Sequence, residues 1–343
     1  MRKIGILTGG GDAPGLNAVI RGVVEKCHAE GIEVYGFKAG WRGAITGEGR
    51  WLTLDDVEGI QTKGGTILNS SRTNVMKEEN GPENVRATME KLGLEGVVAI
   101  GGDDTLGVAN KLTKMGMPMV GVPKTIDNDL SCTDFTFGFD TSANTTMDAI
   151  EKLHTTAASH MRIMVVEIMG RHTGWIAYQA GLAGNAHLVL VPEFPKTVDE
   201  IAEVIKKRQA AGKEYTVIAV AEGFCLEGMS QDELPRDAFG NVDMTAKAIG
   251  ETLAKVLQER TGQESRSVVL GHVQRGGAPS AFDRVLGLRL GVKAGELVAT
   301  KNYGNMVALN STDIVVANLD KAVTERKEVT KDLYDIVELI CNK

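Results

Sequence analysis

Six clusters of Gly, Asp and Thr lie directly behind short apolar runs in this chain: Thr8–Gly11, Gly101–Thr105, Lys124–Asp129, Gly170–Thr173, Glu222–Gly223 and Gly271–Gly277. In open α/β sheets ligands bind beyond the carboxyl ends of the strands, so six such loops in one chain point to a single composite site. The runs in front of them read as buried strands: Ile4–Leu7, Glu33–Phe37, Gly96–Ile100, Met119–Val122, Ile163–Ile168, His187–Val191, Thr216–Ala221, Val268–Leu270 and Met306–Leu309. Segments of helical period separate them. Leu16, Val19, Ile20, Val23, Val24 and Cys27 recur at three- and four-residue spacing, and Gly31 supplies the stop. Strands alternating with helices predict an α/β fold with largely parallel sheets.

The 343 residues suffice for two domains, each with its own core. A formal charge of -7 argues against a general nucleic-acid binder but leaves room for anionic small substrates, since a few arginines in a cleft create a local positive field. Cys27, Cys132, Cys225 and Cys341 are scattered without metal-ligand spacing, which suggests reduced thiols. The first apolar run is too short for a secretion signal, and no run reaches the roughly 18 residues of a membrane span. A soluble cytoplasmic protein is the expectation. The segment Phe224–Asp243, rich in Gly, Asp and Met, is expected to be a mobile surface excursion.

Three loops carry the chemistry of the first half. Thr8–Asn17 has the glycines that let backbone N–H groups approach a phosphate at a helix start. It is neither a dinucleotide fingerprint nor a Walker A loop, and a tight turn without ligand is the plain alternative. In Gly101–Thr105, Asp103 and Asp104 suit Mg²⁺, which takes one or two carboxylates plus substrate phosphates; Asp104 or Thr105 can equally be a helix cap. In Lys124–Asp129, Asp127 and Asp129 beside Lys124 and Thr125 suit a base that takes a proton from a hydroxyl, while turn-making competes as an explanation. Among the arginines, Arg72, Arg162, Arg171, Arg266 and Arg275, those embedded in Gly-rich sequence fit bidentate phosphate recognition better than solvated surface charge.

Gly-Gly-Gly-Asp-Ala-Pro-Gly-Leu-Asn, Gly-Gly-Asp-Asp-Thr, Pro-Lys-Thr-Ile-Asp-Asn-Asp, Met-Gly-Arg, Ala-Glu-Gly and Gly-His-Val-Gln-Arg-Gly-Gly follow in that order from Ile4 to about Val316. Together they resemble the 6-phosphofructokinase family. The resemblance implies two similar, doubly wound, mainly parallel-sheet domains with the active site in the cleft between them. Residues 1–138 with about 275–305 would form the phosphoryl-donor domain, and 139–274 with about 306–343 the fructose 6-phosphate domain. It implies Mg²⁺-dependent phosphoryl transfer to the 1-hydroxyl of fructose 6-phosphate. By position, Asp127 resembles the base, with Thr125 and Asp129 in support, and Asp103 the Mg²⁺-associated carboxylate. Gly11 and Arg72 match donor contacts, and Arg171 would stabilise charge on the transferring group. Met169, Gly170, Glu222, His272 and Arg275 match sugar-phosphate contacts. Arg162 and Arg266 resemble residues inserted from a neighbouring subunit, which implies a homo-oligomer, dimer or tetramer.

ATP-using members usually carry Gly where this chain has Asp104 and Lys124; this pair resembles the pyrophosphate-dependent members. A carboxylate at Asp104 would repel the α-phosphate of ATP. Two like charges about 4 Å apart cost roughly 4 kcal/mol at an effective dielectric of 20, about a thousandfold in affinity. Pyrophosphate ends short of that point, and Lys124 adds a cation to orient it. A reversible, pyrophosphate-dependent enzyme of glycolysis and gluconeogenesis is therefore expected. An ATP-dependent kinase is the alternative, and a non-catalytic regulatory subunit of the same fold a remote one. Arg21 stands where allosteric relatives gather a basic cluster, but its companions Glu25, Leu54 and His154 are not a basic set, so strong activation by a nucleoside diphosphate is not expected.

Overall fold

The computed structural model describes residues 1–226, 236, 239–240 and 248–343, so most of the expected excursion Phe224–Asp243 lies outside the described residues. The chain divides into two compact units: Met1–Thr141 with Arg275–Lys327, and Ser142–Gln274 with Glu328–Lys343.

The first unit holds seven strands: β1 (Arg2–Thr8), β2 (Ile32–Phe37), β3 (Gly49–Leu52), β4 (Val97–Gly101), β5 (Met119–Pro123), then β10 (Asn305–Asn310) and β11 (Asp313–Asn318). Their order is β11-β10-β5-β4-β1-β2-β3. The five inner strands run parallel, and β3 and β11 close the edges as antiparallel partners of β2 and β10. Every residue of β4 and β5 is buried, which is why these strands read as unbroken apolar runs. From β1 the chain passes first to β2 on one side and later to β4 on the other. The sheet therefore switches direction between β1 and β4, where open α/β sheets hold their ligands.

The second unit has the parallel order β7-β8-β6-β9, from β6 (Ile163–Ile168), β7 (Leu188–Leu190), β8 (Thr216–Ala221) and β9 (Ser265–Val269). Here the switch lies between β6 and β9. Its core gathers Ile163, Val165, Ile218, Val220 and Phe224 with the apolar faces of the helices Val198–Ala210 and Ile249–Thr261. Among the described residues, no helix is long and apolar enough to cross a membrane.

Two expectations change. Residues 306–327 belong to the first unit, because β10 pairs with β5 and carries β11 with it. The last strand of the second unit also begins earlier than Val268: pairing with Ile163–Glu167 recruits Ser265, Arg266 and Ser267, which no apolar pattern marks.

In the first unit the helix Leu16–Ala29 lies against the helix Ala281–Ala299 so closely that glycines are required. A Cβ on Gly22 would come 2.5 Å from the Leu288 carbonyl oxygen, and one on Gly291 would overlap the Val19 carbonyl. Gly107, inside the helix Asp103–Lys114, faces open space. Gly22→Ala should therefore lower stability by about 1–3 kcal/mol through overpacking. Gly107→Ala should raise it by about 0.5–1 kcal/mol through helix propensity. Thermal midpoints that shift in opposite directions are the expected result.

Candidate active site

At the β1–β4 switch, two glycine-bearing turns meet over one threonine. Cβ atoms on Gly9 and Gly101 would each collide with the buried Thr105 side chain, the first at 2.6 Å from its Oγ1. Gly9 N–H donates to the Ile100 carbonyl at 2.9 Å and Gly10 N–H to the Ser71 carbonyl at 3.0 Å. Gly10 sits at φ +78°, a left-handed conformation that glycine adopts without steric cost. Ser70 Oγ donates to the Gly10 carbonyl at 2.5 Å. Asn17, buried in the first turn of the following helix, accepts from Ile67 N–H at 2.9 Å and donates to the Lys63 carbonyl at 3.1 Å. The loop is thus fixed from below by β4 and from the side by residues 63–71.

Lys124, the first residue after β5, is 3 % exposed and donates from Nζ to the Gly11 carbonyl at 2.5 Å. Its N–H donates to the Gly101 carbonyl at 2.9 Å. One residue therefore ties the carboxyl ends of β1, β4 and β5 together. Arg275 packs on the same loop: its Nη1 donates to the Asp12 carbonyl at 3.2 Å and stands 2.8 Å from where a Gly11 Cβ would be. Its Nε is buried without a hydrogen-bond partner. The resemblance gave Arg275 to the sugar phosphate; within its own unit it lies on the glycine loop. Arg72 is exposed and follows Ser71, whose carbonyl anchors Gly10.

Asp103 and Asp104 open the helix Asp103–Lys114, both half-buried, with Asp103 Oδ1 accepting from Asp104 N–H at 2.9 Å. Carboxylates in a first turn complement the helix dipole. Beyond β5 the chain turns sharply. Asp127 is 5 % exposed, and its N–H donates to Thr125 Oγ1 at 3.1 Å. Asn128 takes φ +54°, and its Oδ1 accepts from Thr136 N–H at 3.1 Å and Lys327 Nζ at 2.9 Å. The turn is thereby pinned between Asp127 and Asp129.

In the second unit the turn after β6 is held by a carboxylate. Glu222, at the end of β8, accepts through Oε1 from Gly170 N–H at 3.2 Å and Arg171 N–H at 2.8 Å. Arg171 is at φ +51°, and a Cβ on Gly223 would overlap its carbonyl oxygen. Met169 N–H donates to Gln274 Oε1 at 2.9 Å, and Gln274 Nε2 reaches Thr146 Oγ1 at 3.1 Å. Behind this turn Glu193 accepts from Gly174 N–H at 3.0 Å and Val329 N–H at 3.1 Å, while burial raises its carboxyl above the usual range. The structure thus brings Met169, Gly170, Arg171 and Glu222 together, with exposed His272 on the short turn Gly271–Gln274 behind β9.

Arg162 and Arg266 lie elsewhere. They stand at the amino ends of β6 and β9, where Arg162 Nη2 is 3.4 Å and Arg266 Nη2 2.6 Å from Glu264 Oε1. Five residue steps along β6 separate Ile163 from Ile168, about 17 Å at roughly 3.3 Å per residue. Within this chain they are remote from the turn at Arg171. Of the regulatory positions, Arg21 is engaged by Gln61 at 2.7 Å and Glu25 at 3.2 Å, and His154 Nε2 contacts the Gly184 carbonyl at 3.0 Å.

Gly223→Ala tests the fixed turn. The added methyl has no room against the Arg171 carbonyl, so amide exchange across residues 169–174 should accelerate while β8 stays protected. The stability cost should be about 1–3 kcal/mol. Hydrogen–deuterium exchange with a thermal midpoint reads both.

Residues 3–298 match the Phosphofructokinase family. The chain is 54% identical to the pyrophosphate–fructose 6-phosphate 1-phosphotransferase of Amycolatopsis methanolica, over 98% of this chain and 99% of that protein. It is 46% identical to ATP-dependent 6-phosphofructokinase 3 of Streptomyces coelicolor, over 98% of this chain and 99% of that one. Among solved structures, Pichia pastoris phosphofructokinase in the T-state superposes with a TM-score of 0.82 at 31% identity, covering 99% of this chain and 37% of that one. On this match of sequence, order of motifs and fold, the chain belongs to the phosphofructokinase family.

Proposed function

We propose that this protein catalyses reversible, Mg²⁺-dependent transfer of a phosphoryl group from pyrophosphate to the 1-hydroxyl of fructose 6-phosphate. The observation that carries the donor assignment is the Lys124 ammonium seated on the glycine loop, 2.5 Å from the Gly11 carbonyl, with Asp104 in the first turn of the helix behind β4. Phosphoryl transfer depends mainly on alignment and on neutralising charge, and the residues fit that need. Gly11, Arg72 and Lys124 receive the donor. Asp127, supported by Thr125 and Asp129, takes the proton of the 1-hydroxyl as its oxygen bonds to phosphorus. The bridging P–O bond breaks and inorganic phosphate leaves. Arg171, held by Glu222, neutralises charge on the transferring group, and Met169, Gly170, Glu222, His272 and Arg275 receive the sugar phosphate.

The donor set also fits Mg²⁺. Asp103 offers a hard carboxylate, and among the described residues no cluster of three or more His, Cys, Asp or Glu could hold a metal as a closed cage. Mg²⁺ keeps waters and takes substrate phosphates, so one carboxylate suffices. Bound there, the ion would neutralise phosphate charge. A cytoplasmic homo-oligomer follows from the same reading. Arg162 and Arg266, remote from the turn at Arg171 in their own chain, would serve the sugar phosphate of a neighbouring subunit.

ATP as donor is the second reading, favoured by the ATP-dependent relative. Initial rates with Mg²⁺, fructose 6-phosphate and each donor offered separately decide between them. Unmodified protein should use pyrophosphate and leave ATP at least about a thousandfold behind in kcat/KM. Asp104→Gly with Lys124→Gly should admit ATP measurably. ATP use still undetectable in the double variant, with normal pyrophosphate kinetics, would refute the repulsion account. Asp127→Asn should lower kcat by about 10²–10⁴-fold. Mixing inactive Asp127→Asn and Arg162→Ala proteins under subunit exchange should restore part of the activity; no recovery would argue against shared sites.

A further inference from the structure

The last residues of the first unit return across the Lys124–Asp129 turn. Arg326 pairs with Leu130 in an antiparallel bridge, and Lys327 N–H donates to the Asp129 carbonyl at 2.8 Å. Lys327 Nζ then reaches under the turn to Asn128 Oδ1 at 2.9 Å, the Thr133 carbonyl at 3.0 Å and the Asp134 carbonyl at 2.7 Å. An ammonium carries three protons, and these are three acceptors. Asn128 holds the left-handed conformation between Asp127 and Asp129, and its side-chain oxygen is shared by Lys327 and the Thr136 N–H. Backbone and side chain of Lys327 therefore grip both ends of the Asn128–Asp129 peptide from outside.

We infer that Lys327 is a positioning residue for phosphoryl transfer, fixing through Asn128 the turn that aims Asp127. The inference rests on the proposed role of Asp127 as base. The bonds through which Lys327 grips the turn run to Asn128, Asp129, Thr133 and Asp134, which shape it and are assigned to neither the donor nor the sugar phosphate. Removal of Lys327 should thus leave both substrates bound and disturb only the reacting geometry. A misplacement of about 1 Å at such a centre costs on the order of a hundredfold in rate.

The ionisation of Lys327 supplies an independent readout. Burial lowers its pKa to about 8, against the raising effect of Asp134 and Asp129, the charged groups that face it. The charged form dominates below that value. As pH rises through it the amine loses one donor and the grip on three acceptors is incomplete, so turnover should fall on the alkaline side.

The experiment compares unmodified protein, Lys327→Met, Lys327→Arg and Asn128→Gly, assayed with pyrophosphate and with ATP as kcat and KM over pH 6–10. In Lys327→Met, kcat should fall about ten- to a hundredfold while both KM values stay within about threefold. The alkaline limb near pH 8 should vanish. Lys327→Arg, which stays charged, should recover part of kcat and also lack the limb. Asn128→Gly keeps the left-handed backbone without the anchor, and it should lose kcat similarly, with no further loss on adding Lys327→Met. Should Lys327→Met not fold, Lys327→Arg and Asn128→Gly decide. Unchanged kcat, raised KM values at constant kcat, or additive losses would overturn the inference while the proposed reaction stands. Unmodified protein inactive with both donors would overturn the reaction itself and the inference with it.

Discussion

The first unit depends on a close approach that only missing side chains permit. The turns after β1 and β4 meet over Thr105, and any Cβ on Gly9 or Gly101 would fill that gap. With the gap kept, Lys124 reaches from the end of β5 to the Gly11 carbonyl, and three parallel strands present their loops at one place. Lys124 there is 3 % exposed and largely withdrawn from water, so in the proposed site its ammonium would act on a phosphate with little screening. The second unit solves a similar problem by other means. Glu222 supplies the acceptor for two adjacent N–H groups, and Gly223 leaves room for the strained Arg171 turn. A left-handed non-glycine residue persists when its surroundings over-determine it, which is what these contacts provide.

The parallel core was legible because strands buried on both faces are continuous apolar runs. The edge strands were not. Gly49–Leu52 has three exposed residues and only Trp51 and Leu52 as an apolar signal; Asp313–Asn318 does hold the apolar run Ile314–Ala317, yet none of its residues is buried, and each strand is defined by its hairpin partner. The same blindness misplaced residues 306–327. Met306 pairs with Gly121, a long-range register that no local pattern announces.

Of the site, what could be read were the loops whose composition departs from ordinary turns: Gly9–Gly11, Asp103–Asp104 and Thr125–Asp129. Their supports could not be read. Lys327 meets Asn128 across 199 residues of sequence, and Val329 meets Glu193 across 136; both lie in unremarkable polar stretches. Ser70 and Asn17 are likewise common residues whose work appears only once the chain is folded. Gln274 sat inside a recognised motif, yet it is fully buried and its hydrogen bonds to Met169 and Thr146 show only in the folded chain.

The proposal that Lys124 and the glycine loop form one receptor for a short, highly charged donor is open to direct inspection. A crystal structure of the protein with Mg²⁺ and pyrophosphate should show one phosphate against Gly11 and the Lys124 ammonium, the ion on Asp103, and the second phosphate ending where Asp104 closes the space. Pyrophosphate bound away from Lys124, or open room beyond its second phosphorus with the Asp104 carboxylate turned aside, would contradict the account.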